Sequence, residues 1–395
     1  MNPATEASAS THPSATCSLW QLVRYMLGLG TWGFGGPVAL VGYMYRDLVE
    51  QRRWISESDY KEGLTLAQLM PGPLAAQLAI YLGYVHHRVA GATLAGLAFV
   101  LPSFVMVVAI GAAYSAYGGI PWMQAVFYGV GAAVIGIIAM SAYKLTAKNL
   151  GRDKFLWVIF LVSAALTVIT RSETVWVFLG AGVLGWLVRA PPRFLARGSV
   201  NGLAAPVAAI FAAGVDWQKL AQIGAYFAYA GSFVFGSGLA IVPFLYGGVV
   251  KEYGWLTDRQ FVDAVAVAMI TPGPVVITTG FIGYLVSGFW GAVVAAAATF
   301  LPCYLLTILP APYFKKHGKR PAIVAFVDGV TAAAIGAIAG AVIVIGQRSI
   351  TDWVTAALAL ATLVVLWRFK RIPEPVIVLV AALAGIGVQP LVAHG

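Results

Sequence analysis

The chain has 395 residues, of which 60% are hydrophobic and only 10% charged. A water-soluble domain needs roughly 25% charged residues to wet its surface, so a soluble enzyme is excluded and most of the outer surface must face lipid. With 25 Lys and Arg against 15 Asp and Glu the net charge is +10, which suits basic cytoplasmic loops and an anionic ligand rather than nucleic acid.

Residues 1 to 17 are small and polar and lack the basic and apolar regions of a secretory signal peptide, so 1–18 reads as a disordered cytoplasmic tail. From Leu19 onward, apolar stretches near the ~20 residues that cross a bilayer follow almost without pause. They run 19 to 45, 63 to 85, 91 to 117, 122 to 143, 155 to 170, 173 to 188, 200 to 215, 219 to 250, 261 to 286, 288 to 314, 322 to 346, 353 to 367 and 375 to 392. The two cysteines, Cys17 and Cys303, are too isolated for a disulfide framework or a metal motif.

The sequence also repeats. A shift of 201 residues puts Phe34-Gly35 on Phe235-Gly236, Tyr45 on Tyr246, Trp54 on Trp255 and Pro71-Gly72-Pro73 on Pro272-Gly273-Pro274. After a one-residue deletion a shift of 200 matches Leu101-Pro102 with Leu301-Pro302 and Gly129 with Gly329. The division that follows is a first membrane repeat over 19–198, a connecting span over 199–218 and a second repeat over 219–395.

Loop charge orients the halves. Lys144, Lys148, Arg152 and Lys154, then Arg189, Arg193 and Arg197, mark cytoplasmic loops of the first half. In the second half the basic loops are 315–320 and 368–371, and 315–320 falls on the uncharged loop 118–121 of the first. Basic loops on opposite sides of the repeat imply inversion, with the segment 200–215 supplying the odd crossing. The fold class is therefore an all-α polytopic membrane protein, an inverted repeat with broken or re-entrant helices near the midplane. Loop 46–62, with Arg46, Arg52, Arg53 and Lys61, resists simple alternation. Re-entrant hairpins, or its five acidic residues, would remove the conflict.

The helix breaks are the candidate binding site. Gly33, Phe34, Gly35, Gly36 and Pro37, and Pro71, Gly72 and Pro73, are answered by Gly236, Ser237 and Gly238 and by Pro272, Gly273 and Pro274. Proline removes a backbone donor and glycine frees φ, so each motif interrupts a helix. Backbone left unpaired in a bilayer persists only where it is buried or lines a cavity, and half-helix N-termini there attract an anion. A single such break is an ordinary kink; recurrence at the same place in both repeats argues for a site. Arg46 and Arg88 border the broken segments and are suited to an oxyanion, with snorkelling to headgroups as the competing reading. Gln68, Gln77, Thr271, Thr278 and Thr279 offer neutral hydrogen bonds or helix-to-helix contacts.

Glu62 and Asp263 each precede the central glycine of their Pro-Gly-Pro by ten residues and match in the repeat. Together with Asp328 they are the candidates for proton coupling, against a capping role. Gly28-Leu29-Gly30-Thr31-Trp32-Gly33 follows no strand, so it is not a dinucleotide loop, and no phosphate-cradling GxxxxGK[ST] is present. Transport would be secondary. His86-His87 lacks metal-ligand spacing, and neither a metal nor a cofactor is expected. Gly336 and Gly340 permit close helix contact, most simply inside the bundle, with a homodimer left open.

With Gly33-Phe34-Gly35-Gly36-Pro37 followed by Pro71-Gly72-Pro73, and related halves across Leu19 to Val392, the chain resembles the chromate ion transporter family in its long, two-domain form. Phe235-Gly236-Ser237-Gly238 lacks the second glycine and the proline, which suggests that the half-sites are not equivalent. The resemblance implies export of chromate across the bacterial inner membrane, giving resistance, with sulfate as the look-alike dianion and the lipid bilayer as the other partner. Uptake of sulfate or another oxyanion by proton or sodium symport is the alternative. An intramembrane enzyme would need convergent nucleophile, base or metal ligands, and the spans show no such set.

Overall fold

The computed structural model describes residues 17–34, 36–117, 121–170, 175–190, 216–234, 241–313, 320–350, 352–369, 372 and 374–392. The tail up to residue 16, residues 191–215 of the connecting region, and Gly35, Gly236, Ser237 and Gly238 lie outside the described residues.

Helix α1 (Leu19–Trp32) is started by a capping box in which Ser18 accepts from the Gln21 amide and Gln21 reaches back to Ser18. It stops at Gly33. Helix α2 (Gly36–Met44) opens with Pro37 in its first turn, where φ is already set for a helix, and continues as a π-helix over Tyr45–Gln51. The chain has turned back: the Tyr25 hydroxyl donates to Asp47 at 3.2 Å, and the Arg52 guanidinium lies 5.3 Å from the Tyr25 ring centre.

Helix α3 (Glu57–Leu69) starts from the same face, capped by Ser56, and ends at Pro71-Gly72-Pro73. Lys61 bonds Glu57 at 2.6 Å and holds its carboxyl below the usual range, so this end of α3 is charged and wet. Helix α4 (Leu74–Tyr117) runs back along α3, with Tyr81 hydrogen-bonded to Glu62, and reverses again at His87–Arg88, where Arg88 takes φ 54°. His87 Nε2 lies 3.1 Å from the Cys17 carbonyl, which puts this reversal on the face where α1 began. The second arm of α4 then crosses to the opposite face. Helix α5 (Pro121–Asn149) returns, the join being marked by a Tyr114–Phe127 ring contact at 5.3 Å. Helices α6 (Lys154–Thr170) and α7 (Val175–Arg189) complete the half.

The second half repeats this path upside down. Its elements are α8 (Trp217–Gly231), α9 (Ile241–Leu245) with a π-helix over Tyr246–Glu252, α10 (Asp258–Ile270), a 3-10 turn over Val275–Ile277 and α11 (Thr278–Ile308). Then come α12 (Pro321–Ser349), α13 (Trp353–Arg368) and α14 (Glu374–Val392). Helix α11 reverses at Ser287–Gly288, as α4 does at His87–Arg88. The inversion is read directly: the Thr93 and Tyr304 hydroxyls meet at 2.7 Å near one face, while Gly111 lies against the Tyr284 ring near the other. The two reversals therefore sit on opposite faces.

Among the described residues, four segments are long and apolar enough to cross a membrane by length and composition, Leu74–Tyr117, Gln124–Ala147, Val275–Tyr313 and Pro321–Gln347, the first and third of them folded back at His87–Arg88 and Ser287–Gly288. The apolar stretches 19 to 45, 63 to 85, 219 to 250 and 261 to 286 instead contain the hairpin reversals. Each of these stretches is long enough to cross, and only the position of its glycine and proline break separates a hairpin from a span. This folding back also disposes of the awkward loop 46–62. Arg52, Arg53 and Arg88 share a face with Arg152, Arg189 and Arg368, hereafter the basic face. In a membrane-impermeant thiol-labelling experiment on a Cys17→Ser background, Arg88→Cys and Ser287→Cys are expected to label from opposite sides. Labelling of both from one side would refute the inverted topology.

Helix α7 ends at the basic face, where Arg189 pairs with Asp153 and, at 3.1 Å, with Asp328. Helix α8 begins at the other. The halves also interlock: α5 packs against α13 and α14, whereas α12 packs against α6 and α7. Ser163 of α6 donates to the Ala333 carbonyl at 2.7 Å, and Gly336 and Gly340 let α12 rest on the α6 backbone at Phe160 and Ala164. Those two glycines thus serve packing inside the bundle.

Candidate functional site

Each Pro-Gly-Pro turn is bonded in the interior to the other half. The Gly273 amide donates to the Gly33 carbonyl at 3.1 Å, and the Gly72 amide donates to the Val234 carbonyl. Val234 is the counterpart of Gly33 under the 201-residue shift, so the pair of bonds obeys the repeat symmetry. Each broken helix of one half is closed by the proline turn of the other. This is what a membrane interior demands, because a backbone amide with no partner there costs several kcal/mol.

Glycine is required at both tips. Gly72 has φ 147° and Gly273 φ 93°, conformations that side-chain-bearing residues rarely adopt. A Cβ on Gly273 would stand 2.0 Å from Ser103 Oγ, and one on Gly72 would stand 2.6 Å from Gln77 Cδ and 2.9 Å from Cys303 Sγ. Ser103 and Cys303 are themselves counterparts, each following a Leu-Pro and each buttressing the opposite half's turn. Ser103 Oγ donates to the Pro272 carbonyl at 2.6 Å, and Gln77 Nε2 donates to the Pro71 carbonyl at 2.9 Å. Gln77 is fully buried, and its Oε1 has no hydrogen-bond partner among the described residues.

Just past each turn a helix begins, at Leu74 and at Val275, with Pro73 and Pro274 as the residues before. The first amides of a helix have no intrahelical carbonyl and carry partial positive charge. The inverted topology aims these two N-termini inward from opposite faces, with Gly36 and Pro37 adding the start of α2. Thr271, Thr278 and Thr279 are buried but turn their hydroxyls onto their own backbone, at Ala268, Val275 and Val276. Gln68 is exposed. Arg88 sits at the outer reversal, away from the tips.

Between α1 and α2 a cavity of about 830 Å³ opens from the basic face down to Gly33 and Phe34, walled by Arg24, Tyr25, Arg46, Asp47, Arg52 and Trp54. Arg46 bonds Asp47 at 2.8 Å, and Arg52 lies over Trp54 at 4.7 Å. A smaller cavity of about 130 Å³ near the other face is lined by Tyr114, Gln124, Phe127, Arg259 and Asp263. Asp263 is 3% exposed and accepts from the Tyr114 hydroxyl at 2.7 Å, a bond between the halves. Its counterpart Glu62 is half-buried and bonded to Tyr81 within one half. Asp328 is engaged by Arg189 at the basic face.

The structure thus brings Gln77 onto the Pro71-Gly72-Pro73 turn and Gly33 onto the Pro272-Gly273-Pro274 turn, whereas the three acids bond to Tyr81, Tyr114 and Arg189. Sequence reasoning missed Ser103, Cys303, Arg24 and Arg52. The first two were signalled by the Leu-Pro pairs that precede them. The arginines were signalled only by a break in the repeat, which puts Ala225 and Tyr253 at their places.

The sequence profile of the family described as Chromate transporter matches residues 20–186 and 221–386. The chain is 68% identical over 395 residues to a chromate transport protein of Cupriavidus metallidurans, covering 99% of this chain and 98% of that one. It is 60% identical over 386 residues to a probable chromate transport protein of Synechococcus elongatus, covering 96% and 98%. A chromate transport protein of Pseudomonas aeruginosa is 32% identical over 405 residues, covering 98% and 96%. No solved structure matches.

Proposed function

The chain belongs to the chromate transporter family and is a multi-pass bacterial membrane protein; from that premise we propose that it is a secondary transporter exporting chromate from the cytoplasm, and so confers resistance. The observation that carries this reading is the pair of reciprocal tip bonds, Gly273 to Gly33 and Gly72 to Val234, which centre two inward-aimed helix N-termini between the halves. Gly33, Gly36, Pro37, Arg46, Pro71, Gly72, Pro73, Gln77, Pro272, Gly273, Pro274 and Thr278 form or support the anion path in this reading. Gly35, Gly236, Ser237 and Gly238 belong to it by the repeat. The basic face is cytoplasmic by the positive-inside rule. Of the connecting span over 199–218, residues 199–215 lie outside the described residues; α7 ends on one face and α8 starts on the other.

Energetics favour the outward direction. One elementary charge crossing 100 mV is worth ~2.3 kcal/mol, so a dianion leaving a negative interior gains about twice that without ATP or a coupling ion. Backbone amides and arginines read charge and tetrahedral shape, so sulfate should compete with chromate. Uptake by symport would require a proton carrier, and the buried Asp263 is the observation that keeps that second reading in view.

Flux into liposomes under an imposed potential tests the proposal. The expected result is potential-driven chromate movement that a pH gradient leaves unchanged and excess sulfate reduces. Flux that appears only with a proton gradient would transfer the function to the symport reading. Sulfate flux with no chromate flux would replace the substrate.

A further inference from the structure

We propose that the cavity between α1 and α2 is a docking vestibule on the basic face for tetrahedral oxyanion dianions, which Arg24 and Arg52 hold. The inference deepens the transport reading and rests on it.

The charge of the cavity matches such a guest. Its charged walls are Arg24, Arg46, Arg52 and Asp47, three cations less one anion, a net +2. Asp47 is taken up by Arg46 at 2.8 Å, whereas Arg24 and Arg52 carry no ion pair among the described residues. Arg52 lies over two rings, its Cζ 4.7 Å from the Trp54 ring centre and 5.3 Å from that of Tyr25. A guanidinium lying over aromatic faces keeps its edge donors free, in the planar fork that binds two oxygens of one anion. The cavity floor is Gly33 and Phe34, the break that receives the Gly273 amide. An anion docked there is one step from the tips.

Among the described residues, the second half places no arginine at the equivalent positions. The 201-residue shift puts Ala225, Gly247 and Tyr253 where the first half has Arg24, Arg46 and Arg52. Tyr253 stacks on Trp255 at 4.5 Å with an interplanar angle of 19°. Tyr226 meets both rings edge-on at 5.4 and 5.8 Å and donates to the Phe244 carbonyl at 2.7 Å. Rings pack where the first half has guanidinium groups. The repeat is thus symmetric at its tips and polarised at its mouths, with dianion affinity on the basic face and an aromatic seal on the other.

Equilibrium binding to the purified full chain in detergent at low salt reads this directly, with chromate, radiolabelled sulfate and perchlorate as probes. Chromate and sulfate should bind well above perchlorate, a tetrahedral monoanion. Arg24→Gln and Arg52→Gln should each raise the Kd for the dianions about tenfold, and the double variant should lose most of the binding. Arg368→Gln, which removes one positive charge elsewhere on the basic face, should leave Kd unchanged. Unchanged Kd in the double variant, an equal loss in Arg368→Gln, or no dianion binding by the parent would overturn the vestibule.

Flux in the same preparations separates this from the transport reading. A parent that moves chromate while the double variant binds and transports normally refutes the vestibule and leaves transport standing. A parent that binds dianions through Arg24 and Arg52 yet moves none refutes transport and leaves the vestibule standing. Where both hold, the double variant should raise KM for chromate presented at the basic face and leave kcat within about threefold, since a docking site touches the anion before the tips do.

Discussion

Gly273→Val is expected to abolish chromate flux while the protein still extracts and elutes as the parent does. The valine would carry a branched side chain at φ 93° and drive Cβ to within 2.0 Å of Ser103 Oγ. Backbone strain of this kind costs about 1–3 kcal/mol before any clash, roughly a five- to 150-fold penalty on any state that needs the turn. The turn cannot move away, because its amide is the donor that closes the broken helix at Gly33. The effect is therefore aimed at the tip and spares the packing of α5 and α12. Two controls make the reading specific. Gly273→Ala should lose part of the flux, and adding Ser103→Ala should restore some of it, since the nearest remaining atom of residue 103 would then be its Cβ at 3.2 Å. Gly72→Val should match Gly273→Val, because Gln77 and Cys303 crowd it from two sides. Parental flux in both valine variants would move the site away from the tips.

Tyr114→Phe is expected to destabilise the protein more than Asp263→Asn, although it removes only one oxygen. In the parent the Tyr114 hydroxyl donates to an aspartate that is 3% exposed, across the boundary between halves. Phenylalanine takes away the donor and leaves a buried carboxylate unanswered, at roughly 2–4 kcal/mol. Asparagine keeps an oxygen for Tyr114 to reach and removes the charge, at about 1 kcal/mol. Thermal unfolding in detergent should thus rank the variants parent, Asp263→Asn, Tyr114→Phe, from most to least stable. The double variant should recover stability relative to Tyr114→Phe, because a neutral amide is cheaper to leave unpaired than a carboxylate. The reverse order would mean that Asp263 draws its support from elsewhere, such as Arg259 on the same small cavity.

Much of this architecture was legible in the sequence because glycine and proline act locally. Pro71-Gly72-Pro73 and Pro272-Gly273-Pro274 announce breaks wherever they stand, and their recurrence exposed the repeat. The placement of charged loops gave the inversion, since Arg189 and Arg368 follow the same membrane rule in both halves. What stayed hidden depends on the third dimension. Whether 19 to 45 crosses or doubles back is decided by the angle at Gly33 and Phe34, and both paths bury the same apolar residues. The role of Val234 is invisible, because it contributes only a carbonyl that every residue has. Arg24 and Arg52 are 28 residues apart in sequence and share a cavity only because α2 folds onto α1. Periodicity also cannot say that α6 and α7 belong against α12 rather than against α5.

That last exchange sets a timetable for biosynthesis. When residue 189 leaves the ribosome, α6 and α7 exist but α12, the surface they pack on, has yet to be made. The Gly72 amide waits for a carbonyl 162 residues downstream, and Gly33 waits longer for Gly273. At ribosomal speeds that interval is on the order of 10–30 s. Throughout it the first half holds polar backbone that lipid cannot satisfy. The nascent first half must therefore stay beside water or the insertion machinery, and closure of the fold is an event of the finished chain.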